Sequence, residues 1–275
     1  MDILDSFKPI PQMTADQTRE YIKNNAWESY TLLDCRGADE YENEHIPGAV
    51  LIPLHEIPGR MSELDMAKPH IVYCRSGSRS EAATSIMLGN DFKEVYNMEG
   101  GMLAWNGFKA TGVPMGGMFC CPPGAGLEEV TALAWAMEEG ARILYHTVAE
   151  NLDDKECKEL YFDLVESEDD HKEVLLSVYR EITGKDDIEG LFGGKGEVEY
   201  MEGGVKLNDA LEWTKGKEGF EIMEYLMTLE SNSYDLYSKI ARHCEDESKA
   251  RIFRKLADEE LDHLIRLSEI ACKKR

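Results

Sequence analysis

Glu138, Glu168 and His171 recur as Glu230, Glu260 and His263, each 92 residues further along the chain. The apolar frame repeats with them, which turns a short motif into a constraint on the fold. Leu144, Val148 and Leu164 return as Leu236, Ile240 and Leu256, and Tyr145 returns as Tyr237. Each half reads Glu, then Glu-x-x-His beginning 30 residues later. Residues three apart share a helix face, so each Glu-x-x-His presents both side chains together. Histidine occurs only 7 times in 275 residues, so a match of both histidines along with both glutamate pairs is hard to assign to chance. The register also selects among the acids of ADEELDHL (257–264). Glu259 and Glu260 both lie on the helix face of His263, but the residue four before His171 is Ser167, a poor metal ligand. The shared register is therefore Glu260 with His263.

One Glu from each of two helices and Glu-x-x-His from each of two others can converge at the centre of a four-helix bundle. Four carboxylates and two imidazoles suit two first-row cations such as iron or manganese. Without cations, four buried carboxylates would repel one another at a large desolvation cost. The periodicity agrees with a bundle. Apolar residues at spacings of three and four predict helices near 127–151, 154–183, 219–243 and 246–273. Asp153 or Asp154, and Asp246, are suited to N-cap two of them. The glycine-rich stretch from Gly184 to Gly219 is far longer than adjacent antiparallel helices need. A helix of about 24 residues is about 36 Å long, so this stretch fits a crossover returning along the bundle.

The first 112 residues have another period. YTLLDCR, HIVYCR and FKEVYNM read as buried strands, with the helical candidates ADQTREYIKNN and SRSEAATSIMLGN between them. Such alternation implies a parallel sheet covered on both faces. VPMGGMFCCPPGAG then breaks every pattern with glycine and proline. The expected organisation is an α/β domain over 1–112, a Gly/Pro/Cys linker over 113–126 and an all-α four-helix bundle over 127–275.

Within the α/β half, VYCRSGSRSEAA puts Cys74 after an apolar strand and just before a helix expected to start near Ser80. The loop of Cys74, Arg75, Ser76, Gly77, Ser78 and Arg79 is small and polar, and Gly77 tolerates a positive φ. Its backbone N–H groups can converge on a negative sulfur. The helix N-terminus, Arg75 and Arg79 would favour the reactive thiolate.

LLDCRGADEYENEHIPGAVLIP, CRSGSRS and EGGMLAWNGFKATGVP are similar to three signatures of the rhodanese domain of sulfurtransferases, over most of residues 13–114. The resemblance implies that Asp34 and Arg36 are structural and that Trp105 packs under the sheet. It implies a catalytic Cys74 with Arg75 and Arg79, held in an anion loop with Ser76, Gly77, Ser78 and Ser80. Six residues from Cys74 through Arg79 are the length of sulfur-handling members, whereas related phosphatases and arsenate reductases have one more. By this resemblance Cys74 takes the outer sulfur of thiosulfate or another sulfane donor and passes it to a thiol acceptor.

Residues 127–273 resemble the ferritin-like superfamily, most closely its rubrerythrin-like members, through AMEEGARILYHTVAENL and LESNSYDLYSKIA. This implies two non-haem iron ions, with manganese or zinc as substitutes, on Glu138, Glu168, His171, Glu230, Glu260 and His263. It also implies peroxide reduction and a homodimer or larger homo-oligomer through the bundle. Many rubrerythrins carry a further glutamate three residues after the third-helix ligand, where this chain has Ser233. The chain has no Cys-x-x-Cys, so the rubredoxin-like module is missing and electrons would come from a separate donor protein.

Composition narrows the rest. A net charge of −24 argues against non-specific binding to nucleic acid or an anionic membrane. No apolar stretch approaches the roughly 18 residues of a membrane span, and MDILDSFKPIPQM lacks the pattern of a signal peptide. Of 7 cysteines only Cys120 and Cys121 are close neighbours, so a cytoplasmic protein with reduced thiols is expected. Cys120 and Cys121 are candidates to accept sulfur from Cys74 or to form a redox switch. Cys35 reads as strand packing, and Cys157, Cys244 and Cys272 as helix fillers. His146 and His243 have no counterpart at the repeat offset. The alternative function is an iron-binding or storage protein in which the rhodanese-like half senses sulfide or persulfide and the bundle mainly binds metal and dimerises.

Overall fold

The computed structural model describes residues 9–112, 126–188, 199–201, 205–244 and 246–274. The chain divides into two compact units, Met1–Pro114 and Met115–Arg275. Cys120, Cys121 and the side chain of Cys272 lie outside the described residues, as does nearly all of the 113–126 stretch.

The first unit runs β1 (Gln12–Met13), α1 (Ala15–Asn24), β2 (Thr31–Asp34), α2 (Ala38–Asn43), β3 (Val50–Leu51), α3 (Ile57–Arg60), β4 (His70–Tyr73), α4 (Ser78–Leu88), β5 (Val95–Met98) and α5 (Gly101–Ala104). The sheet order is β1-β5-β4-β2-β3, and every pairing is parallel. Leu32, Leu33, Ile71, Val72 and Tyr73 are all buried, as continuous apolar runs must be when both sheet faces are covered. The two-residue edge strands β1 and β3 were not among the expected strands, because two residues carry no readable period. Thr14 starts α1 with a capping box, its hydroxyl accepting from Gln17 N while Gln17 Oε1 accepts from Thr14 N.

This strand order decides where a site can form. The chain leaves β2 toward β3 on one side and leaves β4 toward β5 on the other. Between the carboxyl ends of these two neighbouring strands the connections diverge and open a crevice, the usual ligand position in open α/β sheets.

The second unit is helical: α6 (Leu127–Asn151), α7 (Lys155–Thr183), α8 (Leu207–Thr214), α9 (Gly219–His243) and α10 (Glu247–Lys274), with a ribbon of β6 (Tyr200–Met201) and β7 (Val205–Lys206). The repeat reaches the helix ends: α9 starts and stops 92 residues after α6. Asp154 caps α7, its carboxylate accepting from Cys157 N at 2.9 Å. Asp246 Oδ1 accepts from Lys249 N at 3.3 Å at the start of α10. The stretch between α7 and α9 is less irregular than its composition implies. Its ribbon lies on α6, where a Cβ added to Gly140 would stand 2.7 Å from that of Met201. In α8, Leu207 and Ala210 are buried in the bundle core beside Leu144, Leu164 and Met223. Eight residues between glycine-rich flanks were too few for the helical period to stand out. No described helix is long and apolar enough to cross a membrane.

Candidate functional site

Cys74 follows β4 directly, at the crevice between β4 and β2. Gly77 N donates to its Sγ at 3.1 Å, and the Ser80 hydroxyl lies 3.4 Å away. The backbone amides of Ser76 and Ser80 also face the sulfur. Gly77 makes this turn with φ +99°, and a Cβ there would meet Gly100 N at 3.2 Å. Gly101 approaches from the other side. Met102 N donates to Cys74 O at 2.8 Å, and a Cβ on Gly101 would stand 2.2 Å from that carbonyl oxygen. The glycines of EGGMLAW let α5 clasp the backbone under the thiol.

The partner with the largest effect on Cys74 is another cysteine. Parallel pairing sets Asp34 beside Tyr73, and Cys35 N donates to Tyr73 O at 3.0 Å, so DCR and YCR run side by side. Both thiols are 1% exposed and share one apolar cluster. The neighbouring Cys35 thiol, with the Ser80 hydroxyl and the amides of Ser80 and Ser76, outweighs burial and brings the Cys74 pKa down to about 4. The proximity of Cys74, with burial, raises the Cys35 pKa. The side chains of Arg75, Ser76 and Ser78 are exposed. Arg79 spends its guanidinium on Glu40, with two contacts of 2.7 Å, rather than on the sulfur. Buried Asp34 and Arg36 brace the preceding loop, Arg36 reaching on to Glu44 O at 2.6 Å. Trp105 is buried with its indole N–H on Phe108 O.

In the bundle, Glu138, Glu168, His171, Glu230, Glu260 and His263 are all buried around one point. They form two overlapping clusters: Glu138, Glu168, His171 and Glu260; and Glu168, Glu230, Glu260 and His263. Within each, the ligand atoms lie within 4.8 Å of one another, and Glu168 and Glu260 belong to both. Both histidines turn Nδ1 inward. His171 Nδ1 is 3.1 Å from Glu138 and 3.2 Å from Glu168, and His263 Nδ1 is 3.2 Å from Glu260 and 3.4 Å from Glu230. The tyrosines cross between the halves, Tyr145 donating to Glu230 and Tyr237 to Glu138. The Ser233 hydroxyl turns back to Leu229 O on its own helix.

Burial drives Glu168 well above the usual carboxylate range, reinforced by Glu138 beside it. Burial also opposes ionisation of Glu138, but Glu168, His171 and Tyr237 outweigh it and bring its pKa down to about 2. His171 is raised well above its ordinary value because Glu138 and Glu168 outweigh the cost of burying its charge. Among the described residues, both Glu168 oxygens, Glu230 Oε2 and His263 Nδ1 are buried without a hydrogen-bond donor or acceptor aligned on them. Buried polar atoms left in this way need a partner. Two divalent cations between these oxygens and imidazoles would supply it, so the donor set fits a di-metal centre.

The chain thus joins an α/β unit with a cradled thiolate to a bundle with a carboxylate–histidine centre. It belongs to the rubrerythrin family, whose model matches residues 129–271, and carries a rhodanese-like domain over residues 14–107. The putative sulfur carrier protein YrkF of Bacillus subtilis is 39% identical over 98 residues, which cover 36% of this chain and 52% of that protein. The thiosulfate sulfurtransferase GlpE of Pseudomonas savastanoi is 31% identical over 102 residues, covering 37% of this chain and 90% of that one. Among solved structures, a rhodanese-like domain protein of Staphylococcus aureus is 26% identical with a TM-score of 0.33, covering 35% of this chain and 91% of that one. The fold class expected from the sequence, a rhodanese-like parallel-sheet domain followed by a ferritin-like bundle, is the one found.

Proposed function

We propose that the chain carries sulfane sulfur as a persulfide on Cys74 and reduces peroxide at a di-iron centre in its bundle. The observation that carries the first half is a thiolate facing three backbone amides at the strand switch point. That thiolate attacks the outer sulfur of thiosulfate. A bond forms from Cys74 Sγ to the sulfane sulfur, the sulfur–sulfur bond of thiosulfate breaks, and sulfite leaves with the electron pair. A thiol acceptor then attacks the outer sulfur as its thiolate, and Cys74 leaves as a thiolate again. The amides of Ser76, Gly77 and Ser80 hold the negative charge on sulfur in both steps, without reorganisation. The relatives named as a sulfurtransferase and a sulfur carrier support this half.

The second half rests on the two ligand clusters that share Glu168 and Glu260. Glu138 and His171 would hold one iron, Glu230 and His263 the other, with Glu168 and Glu260 between them. When bound and reduced, the iron pair supplies two electrons to an O–O bond. The chain's own part is to orient and enclose: Tyr145 and Tyr237 hold Glu230 and Glu138 in place, and Leu144, Val148 and Leu164 keep the surroundings dry. Electrons come from a separate donor protein in this reading.

The two halves are tested separately. Cys74→Ser is expected to abolish sulfur transfer from thiosulfate to cyanide, and full activity in that variant would rule out the persulfide. The purified chain is expected to hold about two metals, and Glu168→Ala or Glu260→Ala to lose them. Unchanged metal content in both variants would rule out the centre.

A further inference from the structure

Ser167 and Glu259 occupy the same position in the two halves of the repeat, and neither is among the six candidate ligands. In the folded bundle each reaches the histidine of the other half. Ser167 Oγ lies 2.8 Å from His263 Nε2, and Glu259 Oε2 lies 3.3 Å from His171 Nε2. These are the outward ring nitrogens, since both Nδ1 atoms face the carboxylates. His171 Nε2 and Glu259 Oε2 are each buried without a hydrogen bond among the described residues, so each is placed to satisfy the other. The remainder of the centre is alike in kind on its two sides. Glu138 and Glu230 each take a tyrosine from the opposite half, and Glu168 and Glu260 belong to both clusters. A carboxylate against a hydroxyl, behind otherwise matched imidazoles, is where the symmetry breaks.

We infer that Glu259 and Ser167 make the two metal positions unequal, with the one on Glu138 and His171 binding its cation more tightly than the one on Glu230 and His263. The inference rests on the di-metal reading of the bundle. An imidazole that ligates through Nδ1 keeps its proton on Nε2, and the acceptor of that proton fixes the tautomer and the ring plane. A carboxylate acceptor makes a charge-assisted bond, roughly twice as strong as a neutral one, and makes the ring the better donor to metal. Ser167 can accept the same proton only as a neutral oxygen. Glu259 is not fully withdrawn from solvent, its side chain being 32% exposed, and Lys255 sits on it at 3.0 Å. Lys255 takes Oε1, however, while Oε2 is the oxygen turned to the ring. Glu259 is therefore a positioning residue that acts through His171. The first cation to load goes to the His171 side.

Titrating the metal-free full chain with Co2+, read by visible absorption and calorimetry, tests this without any turnover assay. Two binding events of different affinity are expected. Glu259→Gln should weaken the tighter one by about 10–100-fold and leave the other in place, with helix content unchanged by circular dichroism. Ser167→Asp, which puts a carboxylate behind His263, should tighten the weaker event. Two equal events in the wild type overturn the inference, as does a Glu259→Gln effect on both events or on neither. If Glu259→Gln does not fold, unchanged affinities in Ser167→Asp overturn it. A wild-type chain that binds no Co2+ removes the di-metal reading itself, and this inference with it.

Discussion

At the scale of single residues, the sulfur site turns on two neighbouring cysteines, Cys74 and Cys35, buried in one cluster. Cys74 stood out in the sequence because the small polar loop after an apolar strand can gather backbone amides on a sulfur, as Ser76, Gly77 and Ser80 do. Cys35 did not, because the register of β2 against β4 lies between segments far apart in sequence, and only pairing Asp34 with Tyr73 brings the thiols together. Arg79 shows the converse: its charge was readable, but Glu40 in the first turn of α2 claims it. The thiolate is the reactive form, and a lowered pKa means that it persists as pH falls until about 4. Alkylation of Cys74 by iodoacetamide should therefore be nearly flat above that point and fall about tenfold per pH unit below it. Cys35→Ala removes the neighbouring thiol and should move the midpoint upward by roughly one pH unit, for an interaction worth about 1.5 kcal/mol. Cys35→Ser, which keeps a donor, should restore most of the shift. Coincident profiles for wild type and Cys35→Ala would show that the pair is mere packing.

At the scale of elements, the long helices were readable nearly to the residue, since α6 and α9 each carry about seven turns of the same apolar period. Short elements were not. The edge strands β1 and β3, the ribbon and α8 are held by neighbours: β1 pairs with β5 and β3 with β2, α8 buries Leu207 and Ala210, and β6 is seated against Gly140. The Gly-Gly of EGGMLAW is another case: its motif was visible, but the reason for Gly101 is the Cys74 carbonyl, 27 residues before it at β4's exit. Gly101 has φ +54° and no room for a Cβ. Gly101→Ala should cost the first unit about 1–3 kcal/mol in chemical denaturation and lower thiosulfate turnover. Gly37→Ala, at φ −78° with no atom closer than 3.9 Å to the new Cβ, should do neither. Equal behaviour of the two variants would mean that the clasp on Cys74 O is not constraining.

At the scale of the whole molecule, two units with unrelated chemistry share a chain, and their stabilities should respond to different ligands. Metal that binds only the folded bundle stabilises it by about 2.7 kcal/mol per site at a free concentration one hundred times the dissociation constant. Chelation should therefore lower the thermal transition of the bundle and leave that of the rhodanese-like unit unchanged; calorimetry in which both transitions move together would contradict independent centres. The sequence alone determined that there are two folds, because a change of period is local and the chemistry of each motif is written in consecutive or evenly spaced residues. It singled out the six residues that cluster in the bundle as well, since a repeat compares the chain with itself. Only the tertiary structure decided which groups stand behind those residues: Cys35 behind Cys74, Glu259 behind His171, Ser167 behind His263 and the crossed tyrosines behind Glu138 and Glu230. Such contacts join segments distant along the chain, and their geometry exists only once strands have registered and helices have packed.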